Sequence, residues 1–486
     1  MSKVSARTAS LSALRSSADQ VFRRSAGAPL ITGNRVRLLR DGRENYPAWE
    51  EAINSAQSTI HVEMYIVHHD AVGRRFIDRL AARARAGVRV RVLYDWFGCF
   101  LAPYVRLFAP LVSAGGEVRA CNPPRFSAAF GWTRRNHRKY ICVDGRTMYI
   151  SGLCVGRMWA GQPHKHLDPW RDTGVEIVGP ATAAGERGFA ESWSLFGGGT
   201  EPVEYPDERV IEPAGDVALR LIYTEPFAAS MLRVDLLVAA MARHRLWIAD
   251  AYFIGHGPYV LALQQAARDG VDVRLLLPQD SDVGWTVPVS RTLYRTLLDA
   301  GVRVFEWNGT MMHAKTAVAD SQWARIGSTN LNLNSWVGNW ELDVAIEDAG
   351  VARTLETHYE EDLEGAREIL REGAHGHTRR PADESDVPRV GPLGRRPGAT
   401  RRAARRALRT ATRVGQSIGA AVMGSRQLES WESAPLATLG TLLLLIAVLG
   451  IWRPHFLSWP LAILFIWFGL SFVAQAMGFF RGRNLP

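Results

Sequence analysis

The chain has 486 residues, 47% of them apolar and 22% charged, with 44 glycines and 24 prolines; this composition excludes wholesale disorder and collagen-like or coiled-coil fibres. Its four cysteines, Cys99, Cys121, Cys142 and Cys154, form no CxxC pair or Cys/His cluster, which argues against a disulfide scaffold or a zinc ribbon and fits a reducing compartment. The net charge of +10 is local: twelve arginines and three acids between Arg379 and Arg426 contribute +9, leaving a near-neutral body poorly suited to gripping a long nucleic acid.

In chain order, residues 1–30 form a Ser/Arg-rich tail without the apolar core of a secretory signal, expected to be a mobile basic segment. Two stretches of similar pattern follow and define domains at 31–205 and 206–375. In the first, Ser58–Ile66 reads as a strand, Gly73–Ala86 as an amphipathic helix and Gly87–Asp95 as a buried β-branched strand. A second apolar helix, about Phe100–Ser113, leads towards the segment NHRKYICVDG. In the second, the strand Arg245–Phe253, the helix Tyr259–Asp269, the strand Gly270–Pro278 and a helix near Arg291–Ala300 lead to GVRVFEW and MHAKTAVAD. Strands alternating with helices predict an α/β fold containing parallel βαβ units. The duplication predicts two pseudo-twofold-related domains, each a mixed sheet flanked by helices, with a shared site on the axis.

Beyond the repeats, residues 376–430 are an arginine-rich linker. Arg401, Arg405 and Arg409, with Arg402 and Arg406 beside them, form one cationic face on a helix; this reads either as a surface for anionic lipid headgroups or as a plain basic linker. Two uncharged runs then occupy 434–480, at 434–452 and 456–480. Each is long enough to cross ~30 Å of hydrocarbon as a helix, and together they predict a C-terminal transmembrane hairpin. A shallow re-entrant hairpin is the alternative. Arginines before the first run and after the second place both ends in the cytoplasm.

Each repeat carries the same polar residues at the same spacing. The first reads His137-Arg138-Lys139, then four residues, then Asp144; the second reads His313-Ala314-Lys315, four residues, then Asp320. On a strand, i and i+2 face the same side, so each His and Lys project together. After six intervening residues, each Asp is followed by a small-residue turn: Ser151-Gly152-Leu153-Cys154 in one repeat and Gly327-Ser328-Thr329-Asn330 in the other. A lone HxK says little. The full pattern, found twice in matching halves, is specific.

These residues resemble the phospholipase D superfamily, marked by two HKD motifs, over roughly Asn34 to Asp362. The segments Trp170-Arg171-Asp172 and Asn339-Trp340-Glu341 extend the match, and the order of elements with a membrane hairpin is similar to bacterial cardiolipin synthases, although those more often carry the hydrophobic segments at the N-terminus. The resemblance implies a membrane-bound phosphatidyltransferase at the cytoplasmic face of the bacterial cell membrane. It would join two phosphatidylglycerol molecules into cardiolipin, without metal or other cofactor and with no nucleic-acid partner. Hydrolysis to phosphatidic acid, transfer involving another headgroup such as phosphatidylethanolamine, nucleic-acid phosphodiesterase activity and a silent scaffold are the alternatives.

By the same resemblance His137 is the nucleophile and His313 the general acid/base, although the near-symmetry of the halves does not itself assign them. One imidazole attacks phosphorus and gives a phosphohistidine; the other protonates the departing alcohol. Lys139 and Lys315 neutralise the nonbridging oxygens, and Ser328 and Asn330 hydrogen-bond them. Asp172 and Glu341 are each expected to hold the histidine of their own half, and Asp144 and Asp320 to organise strand and turn. Gly152 is expected to let backbone approach the ligand. Cys154 stands where the family usually has Asn, and is read as a tolerated substitution. Tyr65 and Tyr252 are expected mainly to pack in the core.

Overall fold

The computed structural model describes residues 19–99, 106–123, 134–162, 165, 167–197, 211–370 and positions 459, 463, 466 and 467. The expected arginine-rich linker and amphipathic helix at 376–430 and most of the hairpin at 434–480 lie outside the described residues. Among those that are described, no helix is long and apolar enough to cross a membrane. The chain divides into two compact units, Met1–Asp282 with Leu293–Ile369, and Val283–Thr292 with Leu370–Pro486. The first unit holds both repeats.

The first repeat contributes β1 (Ile31–Arg40), β2 (Thr59–Met64), β3 (Arg89–Asp95), β4 (Glu117–Cys121), β5 (Lys139–Val143), β6 (Thr147–Ser151) and β7 (Thr173–Val178). The second contributes β8 (Val217–Thr224), β9 (Arg245–Ala249), β10 (Asp272–Pro278), β11 (Arg303–Trp307), β12 (Thr316–Ala319), β13 (Trp323–Gly327), β14 (Glu341–Glu347) and β15 (Ala366–Ile369). Among the described residues they form one continuous sheet in the order β15-β11-β10-β9-β12-β13-β14-β8-β1-β7-β6-β5-β2-β3-β4. Outward from the central β8–β1 junction, both halves follow the same order, so the duplication is a pseudo-twofold in the sheet itself.

The parallel pairings are β2–β3–β4 in one repeat and β9–β10–β11 in the other, and the edge strand β15 runs antiparallel to β11. The inner strands are antiparallel, because β5–β6 and β12–β13 are tight hairpins. Their turns explain the motif aspartates. Asp144 and Asp320 take left-handed backbone angles, φ 55° and 51°, which Asp tolerates better than most residues. The Asp144 carboxylate accepts the backbone N–H groups of Gln57, Ser58 and Thr59 at 2.7–2.9 Å. That of Asp320 accepts those of Arg243, His244 and Arg245 over the same range. These bonds outweigh burial and hold both carboxyls below the usual range. Each aspartate therefore staples its hairpin to the start of β2 or β9.

Strand alternation separates the two faces. Trp247 and Ala249 of β9 enter a core shared by both repeats, under the helices Ala181–Gly197 and Ala349–Glu364. Their neighbours Leu246 and Ile248 enter a core of the second repeat, with the helices Ser230–Met241 and Gly257–Arg268; Ala26 and Ala28 are buried in it too, so the described end of the N-terminal segment is packed there rather than mobile as expected. The first repeat has a matching private core built on the helices Asp41–Ser55 and Ala71–Arg85. The latter starts at Asp70, whose carboxylate caps the N–H groups of Val72 and Gly73, and buries Phe76, Ile77, Leu80 and Ala81 at helical spacing. Each such large side chain stabilises the fold by about 1.5–3 kcal/mol. The helix expected over Phe100–Ser113 is shorter where described: it spans Ala109–Ser113, with Pro110 in its first turn.

Candidate active site

Both His–Lys pairs sit at the leading ends of β5 and β12, two strands that are equivalent in the pseudo-symmetry. His137, Lys139, His313 and Lys315 are all buried. The Nδ1 of His137 lies 2.8 Å from Oε2 of Glu341, and the Nδ1 of His313 lies 2.6 Å from Oδ2 of Asp172. This corrects the expectation that each carboxylate serves its own half: the clamps are crossed. The reason is in the backbone. The N–H of His137 donates to the carbonyl of Trp340 at 2.8 Å, and that of His313 to the carbonyl of Arg171 at 2.7 Å. The bridges Asn136–Trp340 and Arg171–Met312 run parallel, so the residue after each acceptor, Glu341 or Asp172, projects onto the other repeat's histidine.

The two clamps differ electrically. Burial raises the Glu341 carboxyl, but its interaction and hydrogen bond with His137, the Lys139 charge and the hydrogen bond from Ser328 outweigh it, leaving Glu341 below the usual range. Ser328 Oγ donates to Glu341 Oε2 at 2.6 Å, and Asn339 Nδ2 to Oε1 at 3.1 Å. Asp172 accepts the N–H of Thr173 at 2.8 Å, and burial carries its carboxyl up to about 6 despite Lys315. His137 is lowered by burial, which Glu341 opposes. His313 is pushed well below its ordinary value by burial, then by Lys315 and Lys139. At pH 7 both imidazoles are neutral and both carboxylates ionised. Each Nδ1–H then donates to a carboxylate and leaves an Nε2 lone pair free.

Burial lowers both lysines, and Lys315, brought down to about 8, stays largely protonated at neutral pH. Lys139 Nζ donates to the carbonyl of His137 at 2.5 Å, and Lys315 Nζ to that of His313. Tyr65 and Tyr252 do more than fill the core: their rings stand edge-on to His137 and His313, at 4.8 and 5.9 Å between centroids. The ammonium groups of Lys139 and Lys315 lie 5.1 and 5.7 Å from the same two rings. Two residues not anticipated, Trp159 and Trp170, flank His313 at 5.8 and 5.4 Å. Trp170 is signalled by its place two residues before Asp172. Trp159 carries no sequence signal, being brought in by a single-turn helix, Arg157–Ala160.

The small-residue turns need correction too. Ser328 is fully buried and its hydroxyl donates to Glu341 while accepting the N–H of Leu342, so it orients the carboxylate rather than facing a phosphate. Gly152, the equivalent position, makes room: a Cβ there would stand 2.3 Å from Asp172 Oδ1. The close approach it permits is that of Asp172. Asn330 is buried, with Nδ2 3.5 Å from Ser335 Oγ and Oδ1 without a partner. Turning the amide over would give Oδ1 the Ser335 hydroxyl and free Nδ2 to donate to substrate. Asp144 and Asp320 lie a strand length from their lysines, about 17 Å at 3.3 Å per residue, and belong to the turns rather than to the reacting centre. Among the described residues, no group of three or more His, Cys, Asp or Glu side chains could hold a metal ion.

Cys154 occupies the place of Asn330 in the first repeat and is buried. Burial raises its thiol, although Lys139 and Lys315 pull it down, so it stays protonated and is a weak donor. Cys154→Asn is expected to leave turnover unchanged, as a steady-state rate would register; a large loss would show that the thiol has a task of its own.

Residues 50–156 and 238–363, which include both histidine–lysine pairs, match the family described as "Cardiolipin synthase, PLD-like domain". Over 363 residues the chain is 35% identical to cardiolipin synthase A of Pseudomonas syringae pv. syringae, covering 72% of this chain and 73% of that protein. The chain belongs to the phospholipase D-like cardiolipin synthase family. A probable cardiolipin synthase of Bacillus subtilis is 30% identical over 352 residues, 71% of this chain and 69% of its own. The fold is also that of phosphatidylserine synthase from Haemophilus influenzae, whose crystal structure aligns with a TM-score of 0.54 at 12% identity over 72% of this chain and 91% of that one.

Proposed function

We propose that the chain makes cardiolipin from two molecules of phosphatidylglycerol. The observation that carries this reading is the crossed clamp: two neutral imidazoles, each held by the other repeat's carboxylate, beside two buried ammonium groups. His137 Nε2 attacks the phosphorus of the first phosphatidylglycerol. An N–P bond forms, the P–O bond to glycerol breaks, and glycerol leaves with a proton from His313. The second phosphatidylglycerol then gives a hydroxyl proton to His313 as its oxygen attacks phosphorus and the N–P bond breaks. Glu341 stabilises the positive charge that His137 gains. Lys139 and Lys315 balance the nonbridging oxygens.

The low proton affinity of His313 in the free site fits this cycle. Two ammonium groups help depress it, and an arriving phosphodiester anion offsets their charge, so His313 gains a proton together with substrate. The acceptor lipid outcompetes water because both lipids are confined to one interface. The runs at 434–452 and 456–480 would supply that confinement at the cytoplasmic face of a bacterial cell membrane, with Arg401, Arg402, Arg405, Arg406 and Arg409 lying against anionic headgroups.

The test is product analysis. Purified full-length chain is incubated with labelled phosphatidylglycerol in mixed micelles, and cardiolipin, glycerol and phosphatidic acid are resolved. Equimolar cardiolipin and glycerol are expected. Phosphatidic acid as the sole lipid product would make the chain a hydrolase.

A further inference from the structure

The two motifs differ at their middle residue, Arg138 in the first and Ala314 in the second. Arg138 is 3% exposed and, being one residue out of phase with His137 and Lys139, points to the shared face of the sheet. Its Nε donates to the main-chain carbonyl of Glu341 at 3.2 Å, across the junction between repeats. Its Nη1 donates to Ser192 Oγ at 2.5 Å and lies 3.6 Å from Glu63 Oε1. The guanidinium stacks 4.8 Å from the Tyr223 ring of the second repeat. Glu63 in turn accepts Asn136 Nδ2 at 2.7 Å, so the residue before His137 is tied into the same network.

The second half-site is built differently. The carbonyl of Asp172 accepts from the N–H of Asp41 at 2.8 Å and from Arg171, its own neighbour in sequence. Ala314 offers no side-chain donor. A guanidinium from the opposite repeat thus grips the Glu341 main chain directly, whereas the Asp172 carbonyl is gripped by Arg171 of its own repeat, whose Nε reaches Asp362 of the other repeat at 2.7 Å.

We infer that Arg138 is a positioning residue: by gripping the Glu341 main chain from the opposite repeat, it sets the geometry of the Glu341–His137 hydrogen bond and makes the two half-sites unequal. The inference rests on the reading of His137 as the attacking group. A planar guanidinium with separate Nε and Nη donors can span the Glu341 carbonyl and Ser192 together; a lysine ammonium cannot. Loss of that grip lets the carboxylate drift, and displacement of an orienting group by about 1 Å costs on the order of 10²-fold in rate.

The test uses the full-length chain and total phosphatidylglycerol consumption, which counts transfer and hydrolysis alike. Because Arg138→Met alone would leave Glu63 buried without its cation, the informative variant is Arg138→Met with Glu63→Gln, whose folding is checked by its melting temperature. It is expected to lose about 10²-fold in kcat with KM unchanged. Made on a Glu341→Gln background, the same pair should cost less than about threefold, but on an Asp172→Asn background the full ~10²-fold. A folded variant with parental kcat, or an equal loss on both backgrounds, would overturn the inference. A parent chain that consumes no phosphatidylglycerol would overturn the transfer reading and this inference with it; an active parent with unaffected variants overturns this inference alone.

Discussion

Replacing His137 with alanine is expected to remove at least about 10⁴-fold of turnover while leaving the chain folded. The magnitude is that of deleting a nucleophile whose partners cannot substitute for it. Without an imidazole no covalent intermediate forms, and water or a lipid hydroxyl must displace glycerol directly from an anionic phosphodiester. The fold survives because Glu341 keeps Ser328 Oγ and Asn339 Nδ2 as donors, so the carboxylate is not orphaned; the stability cost is about 1–3 kcal/mol. Steady-state consumption of phosphatidylglycerol together with a thermal melt checks both halves of the claim. A well-folded variant with parental turnover would take His137 out of the reaction.

The second large effect separates the two carboxylates. Glu341→Gln is expected to slow attack by roughly 10³–10⁴-fold, because a neutral amide neither fixes the Nδ1–H tautomer of His137 nor stabilises its imidazolium. Asp172→Asn is expected to lose a similar factor with phosphatidylglycerol, through His313. A substrate whose leaving group is a nitrophenolate, needing no proton, divides them: Asp172→Asn should recover most of its first-step rate, and Glu341→Gln should not. Recovery in the opposite variant would mean that the roles are exchanged, with His313 attacking and His137 acting as the acid. The pH profile gives an independent sign. His137 must be neutral to attack, so activity falls as the solution is acidified through its pKa. Glu341 raises that pKa against the larger effect of burial; removing the carboxylate's charge therefore shifts the acid limb to lower pH.

Much of this was legible from residue spacing. The paired motifs, the duplication and the strand–helix alternation all have short-range signatures, and the buried strands Arg89–Asp95 and Asp272–Pro278 fall where β-branched and leucine-rich runs predict. The crossing of the clamps was not legible. It depends on which repeat's backbone runs beside His137 and His313, a tertiary fact with no local pattern. The same holds for Ser328 and Gly152. Small residues near a motif suggest room for a ligand, yet here one hydroxyl is committed to Glu341 and one missing Cβ admits Asp172. The inner antiparallel strands were hidden because β5–β6 and β12–β13 turn within three residues, whereas the outer strands follow the helix-linked pattern that dominates the sequence. Trp159 and Arg138 were invisible as site neighbours, the first because a single-turn helix delivers it and the second because its role lies across the repeat junction.

The proposed reaction passes through a covalent phosphohistidine formed and consumed on one phosphorus by two imidazoles. Its most direct test is stereochemical: phosphatidylglycerol made chiral at phosphorus by sulfur substitution is turned over, and the configuration of the product is read. Each in-line displacement inverts phosphorus, so two successive displacements must give net retention. Retention is the predicted result; inversion would mean a single direct displacement and would contradict the account.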